Sequence, residues 1–117
     1  MYNESILRPK SKKFALRIIK LYEYLKEQRN ETVMSKQILR SGTSIGANIT
    51  EGIYAQSRLD FGSKLSIALK EASETEYWLE LLGEAEYIPK NLAESLMADC
   101  VELIKILVSI TKKIYDK

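Results

Sequence analysis

The feature that most constrains the fold is a run of mostly apolar or small residues between positions 61 and 82. Because an α-helix turns once in 3.6 residues, positions that alternate between steps of four and three lie along one helix face. Such a seam is typical of helices that pack lengthwise against one another. Ser57 followed by Asp60 is a Ser-x-x-Asp variant of the capping box, so we predict a helix over residues 58–84. The seam consists of Phe61, Leu65, Ala68, Ala72, Thr75, Leu79 and Leu82.

The N-terminal half predicts two more helices. The first spans about residues 11–29, with Ser11 as its N-cap. A polar stretch then interrupts the pattern, and the second helix spans about residues 34–56, capped by Thr32 or Ser35. The apolar residues of the first helix step 4-3-4: Phe14, Ile18, Leu21 and Leu25.

A fourth helix is predicted over about residues 91–116, opened by Asn91 with Glu94 as capping partner. Its apolar face is unusually wide, because two parallel stripes run along it. One partner helix does not cover a face of that width, so we expect self-association. The stripes are Leu96, Cys100, Leu103, Leu107, Ile110 and Ile114, and beside them Met97, Val101, Ile104, Val108, Thr111 and Tyr115.

Four helices joined by short connections favour a single all-α domain over residues 1–117, an antiparallel up-down-up-down four-helix bundle. A chain of 117 residues with 45% hydrophobic side chains has enough apolar surface for one such core. The alternative is an open pair of helical hairpins that a second copy completes.

Composition weighs against enzymes and metal sites. The chain has no histidine and one cysteine, which removes the commonest general base and the usual zinc ligands. We expect no cofactor, no bound metal and no catalytic residue, and we interpret Cys100 as a small buried side chain. The chain shows neither a membrane-length apolar run nor a signal peptide, so a cytoplasmic protein without membrane contact is expected.

Charge is unevenly distributed although the net charge is only +2. In an up-down bundle the first and last helices bring their basic ends to one pole, whereas glutamates collect at the other. A clustered basic patch is typical of nucleic-acid binding, although helix dipoles and ordinary solvated surfaces explain such runs too. The candidate nucleic-acid contacts are Arg8, Lys10, Lys12, Lys13, Arg17, Lys112 and Lys113, and the same pole gains Arg58, Lys64 and Lys117. The acidic pole holds Glu23, Glu27, Glu31, Glu76, Glu80, Glu84, Glu86 and Glu94.

The segment RSGTSIGANITEG, residues 40–52, is rich in glycine inside a predicted helix. A phosphate-binding loop needs four residues between its glycines and a following lysine, but GTSIG has three and Ala47 follows. We therefore interpret the small residues as a helix face that another helix approaches closely. Asn48 and Glu51 either pair with Lys70, Glu71 or Glu74 of the third helix, in a network between helices or between subunits, or face water. The close-packed face consists of Gly42, Ile45, Gly46, Ile49 and Gly52.

Two stretches resemble a known family. LRSGTSIGANITEG and SRLDFGSKLSIALKEASETEYWLELL are similar to the signature of the 23S rRNA-intervening sequence protein family, also called four helix bundle proteins. The resemblance implies a left-handed antiparallel bundle, a ring-shaped homopentamer and no catalytic activity. The matching positions include Arg40, Ser41, Ser44, Ile45, Asn48, Glu51, Gly52, Ser57, Asp60, Phe61, Lys70, Glu71, Glu74, Tyr77 and Trp78.

The family also resembles the accessory variability determinant of diversity-generating retroelements, a pentameric bundle that binds a reverse transcriptase and nucleic acid. By analogy, we expect a non-enzymatic oligomer that binds RNA or a ribonucleoprotein through its basic pole. Its partners would be further copies of itself, RNA or DNA, and a nucleic-acid enzyme. The alternatives are a protein-interaction scaffold that uses helix four and the Tyr77 and Trp78 region, and metal binding by Glu71 and Glu74.

Overall fold

The computed structural model describes residues 3–116, which form four α-helices and contain no strand. The helices are α1 (Leu7–Gln28), α2 (Met34–Ile53), α3 (Arg58–Glu84) and α4 (Lys90–Tyr115), and a 3-10 turn (Glu4–Ile6) precedes α1. Each helix packs against its neighbours in the chain, and α1 also contacts α4. The prediction of an all-α four-helix bundle is therefore confirmed. Lys117, predicted at the basic pole, lies outside the described residues.

Contacts between neighbouring helices occur in opposite residue order. On the α1–α2 side, Ser11 lies against Gly46 whereas the later Ile18 lies against the earlier Gly42. On the α1–α4 side, Lys10 bonds Glu102 and the later Arg17 bonds the earlier Asp99. Opposite order is what antiparallel neighbours have. The complete up-down-up-down topology and its left hand stay predictions.

The predicted cap of α1 is wrong. The helix begins at Leu7, with Pro9 in its first turn, where a missing N–H removes no intrahelical hydrogen bond. Ser11 lies inside the helix and is fully buried, and its hydroxyl donates to the carbonyl oxygen of Arg8 at 3.1 Å. Because Ser11 is short, its position against Gly46 brings α1 close to α2.

The predicted caps of α2 are wrong as well. Neither Thr32 nor Ser35 caps this helix, because the carboxylate of Glu31 lies over its first turn. A carboxylate at a helix N-terminus satisfies free N–H groups and interacts favourably with the helix dipole. The helix ends at Ile53, three residues before the predicted end at 56. Glu31 accepts hydrogen bonds from the backbone N–H groups of Val33, Met34 and Ser35, at 3.2, 3.0 and 2.7 Å.

Within residues 3–116, two non-glycine residues adopt positive φ, and each follows the end of a helix. Asn30 (φ 53°) follows α1, and Glu86 (φ 63°) follows α3. After α3, the N–H of Tyr87 donates to the carbonyl oxygen of Leu82 at 2.9 Å. A backbone hydrogen bond that spans five residues and encloses a residue with positive φ is the Schellman motif, which ends many helices. The residue with positive φ in this motif is usually glycine, but here it is Glu86.

The other helix ends follow the sequence more closely. Ser57 accepts from the N–H of Asp60 at 3.1 Å, and α3 has the expected bounds. The fourth helix begins one residue before Asn91, which therefore lies in the first turn instead of capping it. Cys100 is buried, its thiol donates to the carbonyl oxygen of Ala72 at 3.3 Å, and burial raises its pKa to about 12.

Candidate nucleic-acid interface

The basic end of the bundle is formed by the start of α1, the end of α2, the start of α3 and the end of α4. Arg8, Gly52 and Arg58 line one cavity of about 410 Å³. The start of α1, the end of α2 and the start of α3 therefore lie next to one another. The end of α4 joins them where the hydroxyl of Tyr115 lies against Gly62 of α3. The basic segments that the sequence separates are thus brought to one end.

Carboxylates at this end neutralise part of its positive charge. Glu4 accepts two hydrogen bonds from Arg58, at 3.0 and 2.9 Å, and Glu51 pairs with Lys64 at 2.9 Å. The hydrogen bonds from Arg58 lower the pKa of Glu4, and an electrostatic contribution from Lys113 lowers it further. The same pair raises the pKa of Arg58. Arg58, Lys64 and Lys113 therefore all interact with carboxylates.

Two predicted contact residues, Lys10 and Arg17, form ion pairs with acidic side chains of α4. Lys10 Nζ lies 3.3 Å from both carboxylate oxygens of Glu102. Arg17 donates to Asp99 Oδ2 at 2.7 Å and to Ser95 Oγ at 3.1 Å. These bonds hold α1 against α4. The sequence contains a pattern that indicates this contact. Polar residues of α4 recur at steps of four and three (Ser95, Asp99 and Glu102), and cations of α1 recur at steps of three and four (Lys10, Lys13 and Arg17), so each set lies on one helix face.

Five of the seven predicted contacts are exposed, and four of these form no ion pair within residues 3–116. Three lie on the first turns of α1, where Arg8 and Lys12 are one turn apart. The fourth lies in the last turn of α4, where a cation complements the helix dipole. We call this set the free basic cluster: Arg8, Lys12, Lys13 and Lys112.

The glycine-rich segment contacts two helices. A Cβ at Gly42 would lie 2.9 Å from both Cγ1 and Cγ2 of Ile18, so α2 approaches α1 more closely there than any other residue allows. A Cβ at Gly46 would lie 3.3 Å from Ser11 Oγ. Gly52 faces α3 instead, where a Cβ would lie 3.0 Å from Phe61 Cδ1. The buried Ile45 and Ile49 complete this side of α2.

Within the chain, the predicted pairing of Asn48 and Glu51 with the middle of α3 is wrong. Asn48 Nδ2 donates to the carbonyl oxygen of Ser44 within its own helix, at 2.9 Å, and Glu51 bonds Lys64. The opposite residue order explains this, because the end of α2 lies beside the start of α3. Lys70 is exposed and takes no part in the pairing.

Arg40 occupies the position that the prediction gave to Asn48. It donates to Glu71 Oε1 at 3.2 Å and to Glu74 Oε2 at 2.5 Å, and Trp78 Nε1 donates to the same Glu74 oxygen at 2.9 Å. Hydrogen bonds from Arg40 and then Trp78 lower the pKa of Glu74, and the bond to Glu74 is the main cause that raises the pKa of Arg40. Glu71 and Glu74 thus hold a guanidinium. No group of three or more metal-binding side chains occurs within the described residues.

The fold and its charges define a helical-bundle protein with a partly neutralised basic end. A model of the family described as 23S rRNA-intervening sequence protein matches residues 3–109, and the chain belongs to this family. This confirms the resemblance seen in the sequence. Between residues 3 and 116, no helix combines the length and the hydropathy that a bilayer span requires.

A solved structure from Bacteroides thetaiotaomicron VPI-5482 is similar to this chain. It is described as a protein with unknown function from the S23 ribosomal protein family. The two chains are 58% identical over 93% of this chain and 97% of that chain, with a TM-score of 0.91. A comparison with curated proteins finds no match.

Proposed function

We propose that this protein is a non-enzymatic oligomer that binds RNA, or a ribonucleoprotein, through its basic end. The free basic cluster carries the proposal, because its four cations are exposed at one end and lack ion pairs among the described residues. Exposed cations clustered at one end of a domain are the expected footprint of phosphate binding. The family description names 23S rRNA, so a structured RNA is the ligand to test first.

Binding of this kind positions RNA without reading its sequence. Lysine and arginine contacts to phosphates carry no base information, and they release condensed counterions. Four phosphate contacts in each subunit give a slope of about −3 for the logarithm of affinity against the logarithm of salt concentration. Further copies of the chain would add cations to the same surface and steepen this slope.

Fluorescence anisotropy with a labelled structured RNA, measured across a salt series, tests the proposal. Reversal of Lys12, Lys13 and Lys112 to glutamate should weaken binding by more than about tenfold, since each lost phosphate contact lowers affinity and the salt slope. A control reverses three exposed lysines away from the basic end, Lys20, Lys26 and Lys36, with the same change in net charge. Absence of binding at low salt, or equal loss in both triple variants, would contradict the proposal.

A second candidate function is a protein-interaction scaffold, which the apolar stripe of α4 from Met97 to Tyr115 favours. Val108 is 46% exposed and Tyr115 is 48% exposed in the single chain. Tyr77 is also exposed and lies beside Trp78, with ring centroids 5.5 Å apart. Exposed apolar side chains in a row are typical of an interface. Further copies of the chain are the first proposed partners, with a pentamer as the resemblance implies, and a nucleic-acid enzyme is the next.

Light scattering at micromolar concentration tests the oligomeric part. We expect a mass several times 13.4 kDa, and Val108→Glu should lower it because a charge at a buried interface lacks a partner. If the protein is strictly monomeric, the proposed ring-shaped oligomer would be contradicted in both candidate functions. If the monomer binds RNA, the proposed role of the basic end would be supported and the proposed oligomer would not.

A further inference from the structure

The end of the bundle opposite the free basic cluster carries a large groove. It has a volume of about 1020 Å³ and is bounded by the ends of α1 and α3 and the start of α4. Its lining combines apolar side chains with carboxylates, and we call it the acidic groove. The apolar lining includes Leu79, Ile88, Met97 and Val101, and the carboxylates are Glu80, Glu84, Glu86 and Glu94.

The carboxylates of the acidic groove are not neutralised as those at the basic end are. All four are exposed, and within residues 3–116 none of them forms an ion pair. Two cations line the groove, Arg29 and Lys90. Arg29 donates to the carbonyl oxygens of Glu86 and Tyr87, at 3.0 and 2.8 Å, so it holds the loop instead of a carboxylate. The rim is therefore net negative around an apolar floor.

The shape of the acidic groove fits a helix. Its α4 side is formed by residues at steps of three and four between Lys90 and Val101, which corresponds to about 16 Å of helix, or three turns. Small residues line it at Gly83, Ala93 and Ala98, so the walls are low. Helices recognised in grooves of this kind insert apolar residues spaced at i, i+3 or i+4, and i+7.

We propose that the acidic groove binds a basic amphipathic helix of another protein. Apolar side chains of that helix would contact Tyr24, Met97 and Val101, which are half-buried, and flanking lysines or arginines would meet the unpaired carboxylates of the rim. Charge complementarity favours this occupant, because an acidic or neutral helix would leave the rim carboxylates without partners. The inference concerns the end of the bundle opposite the RNA-binding proposal and does not depend on it.

The four helices of the bundle are not themselves candidates for this occupant. The basic helix among them, α1, has its apolar face in the core, where Phe14, Ile18 and Leu25 are buried. The basic end of a second copy would be an alternative occupant, because Tyr54 and Leu59 are exposed there. The experiment separates a foreign helix from a second copy.

The probe is a fluorescein-labelled helical peptide of about 14 residues, long enough for the three turns of the groove, with leucines at i, i+3, i+4 and i+7 and lysines beside them. A matched peptide has glutamate in place of every lysine. We expect the lysine peptide to bind, and Glu84→Lys with Glu94→Lys to weaken it by about tenfold, since reversal replaces attraction by repulsion. The control is Glu23→Lys with Glu27→Lys, which changes the net charge equally on an exposed part of α1 outside the groove.

A variant that fills the groove tests peptide binding without changing the net charge of the protein. Ala98 is exposed and lines the groove, so Ala98→Trp should block the lysine peptide, whereas Ser73→Trp on the exposed side of α3 should not. Methyl NMR should show shifts of Ile88, Met97 and Val101 when the peptide binds. Equal binding of both peptides, or equal loss in the control variants, would overturn the inference. So would dissociation of the protein's own assembly by the groove variants, because the groove would then be a contact between copies.

Discussion

Helix α2 is held by its two neighbours in different ways. Its contact with α1 depends on shape, since Gly42 leaves room for Ile18. Its contact with α3 is close-packed where Gly52 lies against Phe61. Over the middle of α2 that contact includes polar bonds, where the buried hydroxyls of Ser41 and Thr75 lie 2.9 Å apart and Arg40 bonds two carboxylates near the surface. A close-packed contact cannot accept added atoms, whereas an exposed polar pair can be exchanged for water. Substitutions on the two sides should therefore differ greatly in effect.

The largest effect is expected for Gly42→Leu. The first added carbon would already lie 2.9 Å from Ile18, so the helices must separate. We expect the free energy of unfolding to fall by about 3 kcal/mol, the upper range for overpacking, despite the better helix propensity of leucine. Urea unfolding followed by circular dichroism measures it. Ala47→Leu is the control, because Ala47 is exposed on the same helix. Equal stability of both variants would refute the close-packing interpretation.

A smaller effect is expected for Thr75→Val, which keeps the shape and removes the hydroxyl. The buried Ser41 hydroxyl then loses its partner on α3, and a buried polar group without a partner costs about 1–3 kcal/mol. The double variant Ser41→Ala with Thr75→Val should be more stable than the sum of the single effects predicts. Strict additivity in this double-mutant cycle would mean that the two hydroxyls are not coupled.

Arg40→Gln should have a smaller effect still. The Arg40 side chain is 50% exposed and Glu74 is 35% exposed, so solvent screens the pair. Exposed pairs contribute roughly 0.2–1 kcal/mol, and this contribution should vanish in about 1 M salt. Arg8→Gln is the control, because Arg8 is exposed and forms no ion pair among the described residues. A loss of stability as large as that of Gly42→Leu would show that the polar side of α2 is the stronger contact.

The smallest effect concerns pH. The pKa of Glu74 is lowered in the folded protein, so its contribution is present above the ordinary glutamate value of 4.5 and is lost as pH falls through the lowered pKa. The stability difference between the wild type and Glu74→Gln should therefore be seen at neutral pH and shrink as pH falls below 4.5 and through the lowered pKa. A difference that grew on acidification would contradict the direction of the pKa shift.

The fold was predictable because burial follows local periodicity. Every position of the α3 seam from Phe61 to Leu82 is buried, as the alternating steps of four and three indicate. The helix caps were less predictable. Ser57 caps α3 from the expected place, but Glu31 caps α2 from the residue just beyond the α1 ending, and residue types alone did not identify it.

The candidate site was less predictable because charge pairing depends on the neighbouring helix. A run of cations is visible along α1, but only the packed structure shows that Glu102 meets Lys10 and Asp99 meets Arg17. Asn48 was given the wrong partner for the same reason, since the register of α2 against α3 is a tertiary property. Residue types located the charged ends, and tertiary contacts decided which charges stay free.

The ending of α3 bears on how this chain would evolve. Glu86 holds a left-handed backbone conformation that costs a residue with a Cβ about 1 kcal/mol or more, and glycine would avoid that cost. The same residue supplies one carboxylate of the acidic groove. Selection for thermal stability alone would replace this glutamate by glycine. If glutamate persists at position 86 in descendants of this chain, this would indicate that selection acts on its carboxylate.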